Sequence, residues 1–411
     1  MSSPRDKTAE SNRRDFLKKA AAMGLGAAVS GPALWRPRRA AAAQISLPKE
    51  PMPRRPFGRS GIMVSTLSLG GMFDILNNRL MLAKALDWGI DYWDTAEGYG
   101  GGRSEQGIGR WFARNPDTRK QVFLVTKLSA RRGKDFTPRL EESLKRLHTD
   151  YIDLLFVHGI RSIKNIDADL ESWSQAMKKA GKIRLFGFST HANMEDCLEG
   201  AAKLPSIDGI MFTYNYRLMQ ESRMNQAVDA CYRAGIGLTA MKTQGGGPVK
   251  SNSESELEMA GRFMQKGSTD HQAKLMAVWE DKRIASICSQ MPNLTIMAAN
   301  ATAAVNQIRL SQTDRALLAR YAKETCGDYC AGCGRLCSDV LSGRIPVNDV
   351  MRCLMYYHCY QDLGLARSTF ETLPTRTRAL LTRMDFSEAE KSCPRNLPIG
   401  RLMREAATLL A

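Results

Sequence analysis

Two groups of side chains in this 411-residue chain have types and spacings that could do chemistry. The first is Asp94, Tyr99, Lys127 and His158, each at or just past the end of a short apolar run. A tyrosine hydroxyl, with an ordinary pKa of about 10, gives up its proton poorly near neutrality. A lysine ammonium beside it favours the phenolate, and an aspartate would keep that lysine charged and in place. A histidine could donate a hydrogen bond to a substrate carbonyl or relay its proton. Such a set protonates a developing alkoxide as hydride arrives. The second group is Cys326-x3-Cys330-x2-Cys333-x3-Cys337, followed 56 positions later by Cys393-Pro394. Thiolates this close can wrap one metal centre, either an iron–sulfur cluster or a structural zinc held tetrahedrally. Disulfides are a third use, although Cys330 and Cys333 make an awkward structural pair.

The elements that must position these residues follow from hydrophobic periodicity. Eight apolar runs read as strands: Met63–Leu69, Asp91–Thr95, Phe123–Leu128, Ile152–His158, Leu185–Thr190, Gly209–Asn215, Gly237–Lys242 and Ala285–Met291. Between them lie helical faces with spacings of three and four, such as Leu140, Leu144 and Leu147, or Ile108, Trp111 and Phe112. Another face, Leu170, Trp173 and Met177, stops at Gly181. Eight alternating strand–helix units predict an α/β fold, a (β/α)8 barrel, whose strand ends converge on one mouth. An open doubly wound sheet competes, but no G-x-G-x-x-G follows the first strand. The connection between the seventh and eighth runs is long and holds Gly245-Gly246-Gly247-Pro248 and the polar stretch Lys250–Glu258. It suits a lid, a phosphate-binding loop or a surface insertion. After Asn300 the strand-like runs stop, and seven of the ten cysteines fall between Cys326 and Cys393. Cys197, Cys231 and Cys288 fall within the barrel pattern and read as inert buried thiols, and Cys353 and Cys359 as packing residues.

The composition is globular, with 43% hydrophobic and 25% charged residues, and no uninterrupted apolar run reaches membrane-spanning length. The net charge of +17 would ordinarily suggest nucleic acid. Residues 1–43 account for +6 of it and have the layout of an export signal. A basic segment, Ser11-Asn12-Arg13-Arg14-Asp15-Phe16-Leu17-Lys18-Lys19, precedes a short apolar stretch and the small residues Ala40 to Ala43. The paired arginines resemble the twin-arginine class of bacterial signal, which implies transport of a folded protein to the periplasm. The remaining +11 shows no basic run interleaved with aromatics, so a solvated surface is expected rather than a nucleic-acid partner.

Several ordered segments resemble the aldo/keto reductase family over roughly residues 55–300. They are Asp91-Tyr-Trp-Asp94-Thr-Ala-Glu-Gly-Tyr99-Gly, Val125-Thr-Lys127, Leu144 through Asp153 to His158, and Gly181-Lys-Ile-Arg-Leu-Phe-Gly-Phe-Ser189. The resemblance implies that Tyr99 is the general acid, that Lys127 and Asp94 tune it, and that His158 orients the carbonyl. It also implies a nicotinamide cofactor, NADP or NAD, with Ser189 and Asn215 holding the nicotinamide amide. The basic residue expected after the eighth strand for a 2′-phosphate is absent from Ser289–Asn300. The C-terminal segment, including Cys393-Pro-Arg-Asn-Leu-Pro-Ile-Gly, resembles the ferredoxin-like tail of one subgroup of that family. The bacterial ferredoxin pattern ends in a Cys-Pro whose cysteine serves the other cluster. On that pattern Cys330, Cys333, Cys337 and Cys393 surround one 4Fe-4S cluster, with Cys326 replacing Cys393 as the alternative.

The expected organisation is thus an export signal (1–43), a barrel (55–310) and a small helical, ferredoxin-like tail (311–411). The expected protein is an exported oxidoreductase for a small carbonyl or alcohol substrate, exchanging electrons with a redox partner. It meets the twin-arginine export machinery and keeps no membrane span. The competing reading, from another class, is a catalytically retired barrel acting as a binding or assembly module with a structural metal site.

Overall fold

The computed structural model describes residues 50–129, 135–246, 254–306, 309–326 and 329–411. The signal read over 1–43 and the centre of the long loop, 247–253, lie outside the described residues. The described residues open with an antiparallel ribbon, β1 (Arg54–Pro56) and β2 (Met63–Ser65), in which Arg54 faces Ser65. Eight parallel strands follow: β3 (Leu67–Gly70), β4 (Tyr92–Asp94), β5 (Phe123–Ser129) and β6 (Ile152–Ile160), then β7 (Ile183–Thr190), β8 (Gly209–Thr213), β9 (Gly237–Met241) and β10 (Ser286–Gln290). They form a closed barrel, sealed where Cys288 of β10 pairs with Ser68 of β3. The α/β barrel predicted from the spacing is the fold observed.

The first apolar run differs from the single expected strand. It divides at Thr66, because Met63–Ser65 belongs to the ribbon and only Leu67–Gly70 enters the barrel. The ribbon turn carries Phe57, fully buried as a plug at the bottom of the barrel. Its ring lies 5.3 Å from that of Phe123, and a Cβ added to Gly237 would meet it at 2.4 Å. Above the plug, Tyr92, Val125, Leu154 and Met211 fill the interior. The outer core lies between strands and helices, so each strand is apolar on both faces.

Ser311, where the tail was expected to begin, is the N-cap of the helix Gln312–Glu324. That helix buries Leu317, Leu318 and Tyr321 in the barrel's own core. A separate apolar core begins at Cys337 and includes Ile345, Leu354, Phe370, Phe386 and Met403. It is wholly helical, built chiefly from Val347–His358, Leu363–Glu371 and Ile399–Leu409. None of the described helices is long and apolar enough to cross a membrane.

Candidate active site and cysteine cavity

At the barrel mouth, Lys127 on β5 is the hub. Its Nζ donates to Asp94 Oδ2 on β4 at 2.6 Å, to the Thr95 carbonyl at 2.8 Å and to the Tyr99 hydroxyl at 3.3 Å. Both charged side chains are almost completely buried. The loop after β4 is held over Lys127 by its own backbone, since Glu97 N donates to the Lys127 carbonyl at 3.1 Å. The Glu97 carboxylate accepts from Ser129 N at 2.8 Å and pairs with Arg139. Gly100, Gly101 and Gly102 then all take positive φ, which lets the chain turn sharply behind Tyr99. His158, next to the irregularity between Val157 and Ile160, stands edge-on to the Tyr99 ring, with centroids 5.7 Å apart. The four residues singled out in the sequence therefore lie together.

Burial adds an effect that the sequence did not supply. Burial raises the Tyr99 pKa above its ordinary value; the Lys127 ammonium works against that rise without cancelling it. Burial disfavours the Lys127 charge, but Asp94 and Tyr99 overcome it and keep the lysine protonated. Burial also raises Asp94, with Lys127 opposing. The lysine therefore limits the cost of forming a phenolate rather than making Tyr99 a spontaneous one. Cys288, expected to be inert, is only half-buried and its thiol faces Asp94 and Lys127. It is the middle residue of β10, and nothing local in the sequence marked it.

Ser189 is buried beside this group, and its Oγ accepts from Gly159 N at 3.0 Å. Asn215 is used differently from the expected nicotinamide contact. Its Nδ2 donates to the Lys242 carbonyl at 3.2 Å and to the Tyr329 hydroxyl at 3.0 Å. Its Oδ1 accepts from the backbone nitrogens of Arg217 and Leu218. A primary amide has two donor hydrogens and two acceptor lone pairs, and all four are engaged here. Asn215 therefore does not fit a nicotinamide while Tyr329 is in place.

Tyr329 leads directly into the cysteines. Cys330, Cys333, Cys337 and Cys393 all line one small cavity, and none is in a disulfide. Cys326 is not among the residues lining it. Burial pushes the Cys330 thiol up to about 12 and those of Cys333 and Cys337 up to about 11, the neighbouring thiols adding to the rise. Among the described residues, no three His, Cys, Asp or Glu are grouped closely enough for a single metal ion. The loop is docked on the barrel: Asn193 N donates to the Gly332 carbonyl at 2.8 Å, and Arg335 N donates to Asn193 Oδ1 at 2.9 Å. Gly332 has φ +86, and a Cβ there would lie 2.4 Å from the His191 carbonyl. Only glycine allows this close approach.

Comparison with known proteins agrees with the fold. The aldo-keto reductase yakc of Schizosaccharomyces pombe, whose name specifies NADP(+), is 31% identical over 180 residues, 38% of this chain and 51% of that protein. The match thus spans about half the length of that relative. The uncharacterized oxidoreductase YrpG of Bacillus subtilis is 28% identical over 239 residues, 51% of this chain and 73% of YrpG. The aldo-keto reductase AKR11C1 from Bacillus halodurans, in its holo form, superposes with a TM-score of 0.55 at 22% identity. That superposition covers 69% of this chain and 98% of the other, and it shows the shared barrel. The sequence model of the Aldo/keto reductase family matches residues 73–310, the strands and loops that carry Asp94, Tyr99, Lys127 and His158. The chain belongs to the aldo/keto reductase family.

Proposed function

We propose that the protein is an exported oxidoreductase that interconverts a carbonyl and an alcohol, with Tyr99 as the acid or base. The observation that carries this reading is the shared Lys127 Nζ, bonded to both Asp94 Oδ2 and the Tyr99 hydroxyl. In the reducing direction the carbonyl carbon gains a hydride and its oxygen takes the Tyr99 proton. The resulting phenolate lies against an ammonium that Asp94 keeps charged. His158 stands beside the Tyr99 ring and orients the carbonyl oxygen. NADP(H) or NAD(H), implied by the family resemblance, would supply hydride, but Asn215 would be open to it only with Tyr329 displaced.

Cys330, Cys333, Cys337 and Cys393 are the ligand set of a 4Fe-4S cluster in this proposal, a choice that their shared cavity supports over a set with Cys326. Such a cluster supplies one-electron transfer, which suits a redox partner protein. Export through a twin-arginine signal to the periplasm rests on residues 1–43. The intact Asp94–Lys127–Tyr99 contacts argue against a retired barrel.

The test is Tyr99→Phe. Carbonyl reduction should fall by about 10²–10⁴-fold with circular dichroism and melting temperature unchanged. Full turnover by a folded Tyr99→Phe protein would remove Tyr99 as the acid.

A further inference from the structure

A chamber of about 360 Å³ opens between the barrel mouth and the helical tail. The barrel contributes His191, Thr213 and Lys242, and the tail contributes Tyr329 together with residues of Val347–His358 and Ile399–Leu409. It lies next to the Tyr99 group rather than at it: His191 feels the charges of both His158 and Lys127.

The chamber wall is unbalanced in charge. Lys242, Arg352 and Arg401 line it, with Glu405 as the only carboxylate among the described residues. Glu405 is already engaged, by His358 at 2.6 Å and by Arg401 at 3.4 Å. Arg352 has Asp349 at 3.4 Å, but Asp349 is shared with Arg161. Among the described residues, no carboxylate lies within ion-pair distance of Lys242. Its ammonium instead faces the rings of Tyr356 and Tyr360, at 4.8 and 5.5 Å from their centroids. The Lys242 backbone is also unusual, with φ +55 in a residue that is not glycine. Its carbonyl is held there by Asn215 Nδ2 and by Gly245 N, the latter at 2.9 Å. Such a conformation is strained and persists only where its surroundings enforce it. The result is a cation presented to the chamber with aromatic faces for company and no counter-charge.

The opposite character comes from Met351, Leu354, Met355 and Leu402, which give the tail side of the chamber an apolar wall. We infer that this chamber binds a small organic carboxylate, its anionic end on Lys242 and Arg352 and its apolar body on the tail helices. On the reading of the Tyr99 site above, the ligand is the substrate, a carbonyl or alcohol compound bearing a carboxylate. The tail thus takes part in choosing the substrate.

The experiment is isothermal titration of the full-length protein with 4-formylbenzoate and with uncharged 4-methylbenzaldehyde. The expected result is measurable binding of the carboxylate and at least about tenfold weaker binding of the neutral aldehyde, as a charged hydrogen bond gives. Lys242→Met should remove that preference and Lys242→Arg should largely keep it. Because Lys242 has a special backbone, Arg352→Gln provides a second variant, expected to weaken only the carboxylate. Equal affinity for both compounds, or a preference untouched by Lys242→Met and Arg352→Gln, would overturn the inference. The same titration on Tyr99→Phe separates the two readings. Unchanged carboxylate binding there supports the chamber whether or not Tyr99 is the acid.

Discussion

The Asn215 amide donates to the Tyr329 hydroxyl at 3.0 Å, joining the end of the sixth barrel strand to the residue beside Cys330. The bond links two segments 114 positions apart and is fully buried. Tyr329→Phe should cost about 1 kcal/mol, or somewhat more because one amide hydrogen is left buried without an acceptor. Urea unfolding should show a lower midpoint with an unchanged slope. The same variant frees one Asn215 donor hydrogen while the ring stays, so NADPH affinity, measured by cofactor fluorescence, should rise less than in Tyr329→Ala, which also removes the ring.

Lys127→Met leaves Asp94 buried without its cation. The loss should be about 3–5 kcal/mol near neutral pH. Without Lys127 the folded-state pKa of Asp94 moves further above its unfolded value, because burial then acts with less opposition. A raised carboxyl gains stability as pH falls through its folded pKa. The variant should therefore recover part of its deficit on acidification, starting at a higher pH and gaining more from Asp94 than the parent does. Melting temperatures across a pH series would show the two curves converging.

His191 provides a pH prediction of opposite sign. It is held well below the ordinary histidine value of about 6.5, first by burial and then by Lys242, Arg352, His158 and Lys127. The unfolded chain protonates near that ordinary value while the folded one stays neutral. Stability should therefore decline as pH falls below about 6.5, with a slope approaching about 1.4 kcal/mol per pH unit from this residue. His191→Gln should flatten that part of the profile. An unchanged slope in the variant would assign the acid sensitivity to other groups.

The cysteine cavity predicts a spectroscopic difference between two single substitutions. Protein purified without oxygen should show a broad absorption near 400 nm that bleaches with dithionite, as proposed for a 4Fe-4S cluster. Cys393→Ser should abolish or strongly alter that band, whereas Cys326→Ser should leave it, because only Cys393 faces the cavity shared by Cys330, Cys333 and Cys337. The reverse pattern would move the fourth ligand to Cys326.

The barrel was legible in the sequence because parallel strands covered on both faces are continuous apolar runs, and helices between them show a three-to-four spacing. Asp94, Lys127 and His158 were legible for a related reason: each ends such a run, and run ends share a mouth. Local pattern failed where partners are remote. Nothing near Asn215 signals that Tyr329 will use its amide, and nothing near Lys242 signals that Tyr356 and Tyr360 will face its ammonium. The division of Met63–Leu69 at Thr66 was hidden too, since ribbon and barrel strand are equally apolar. Cys288 looked like a small hydrophobe because its significance comes from Asp94 and Lys127, on strands far away in sequence.

The seam between β10 and β3 has a consequence for biosynthesis. Its paired residues, Cys288 and Ser68, are separated by 220 positions. A ribosome must release about seven tenths of the chain before the barrel can close, and until then both edge strands remain open for mispairing. The helix Gln312–Glu324, which buries Tyr321 in the barrel core, emerges only after that seam, and the cysteine loop follows it. The order of synthesis therefore places the cysteine cavity last. Its docking surface around His191 and Asn193 is complete only when the barrel beneath it has closed.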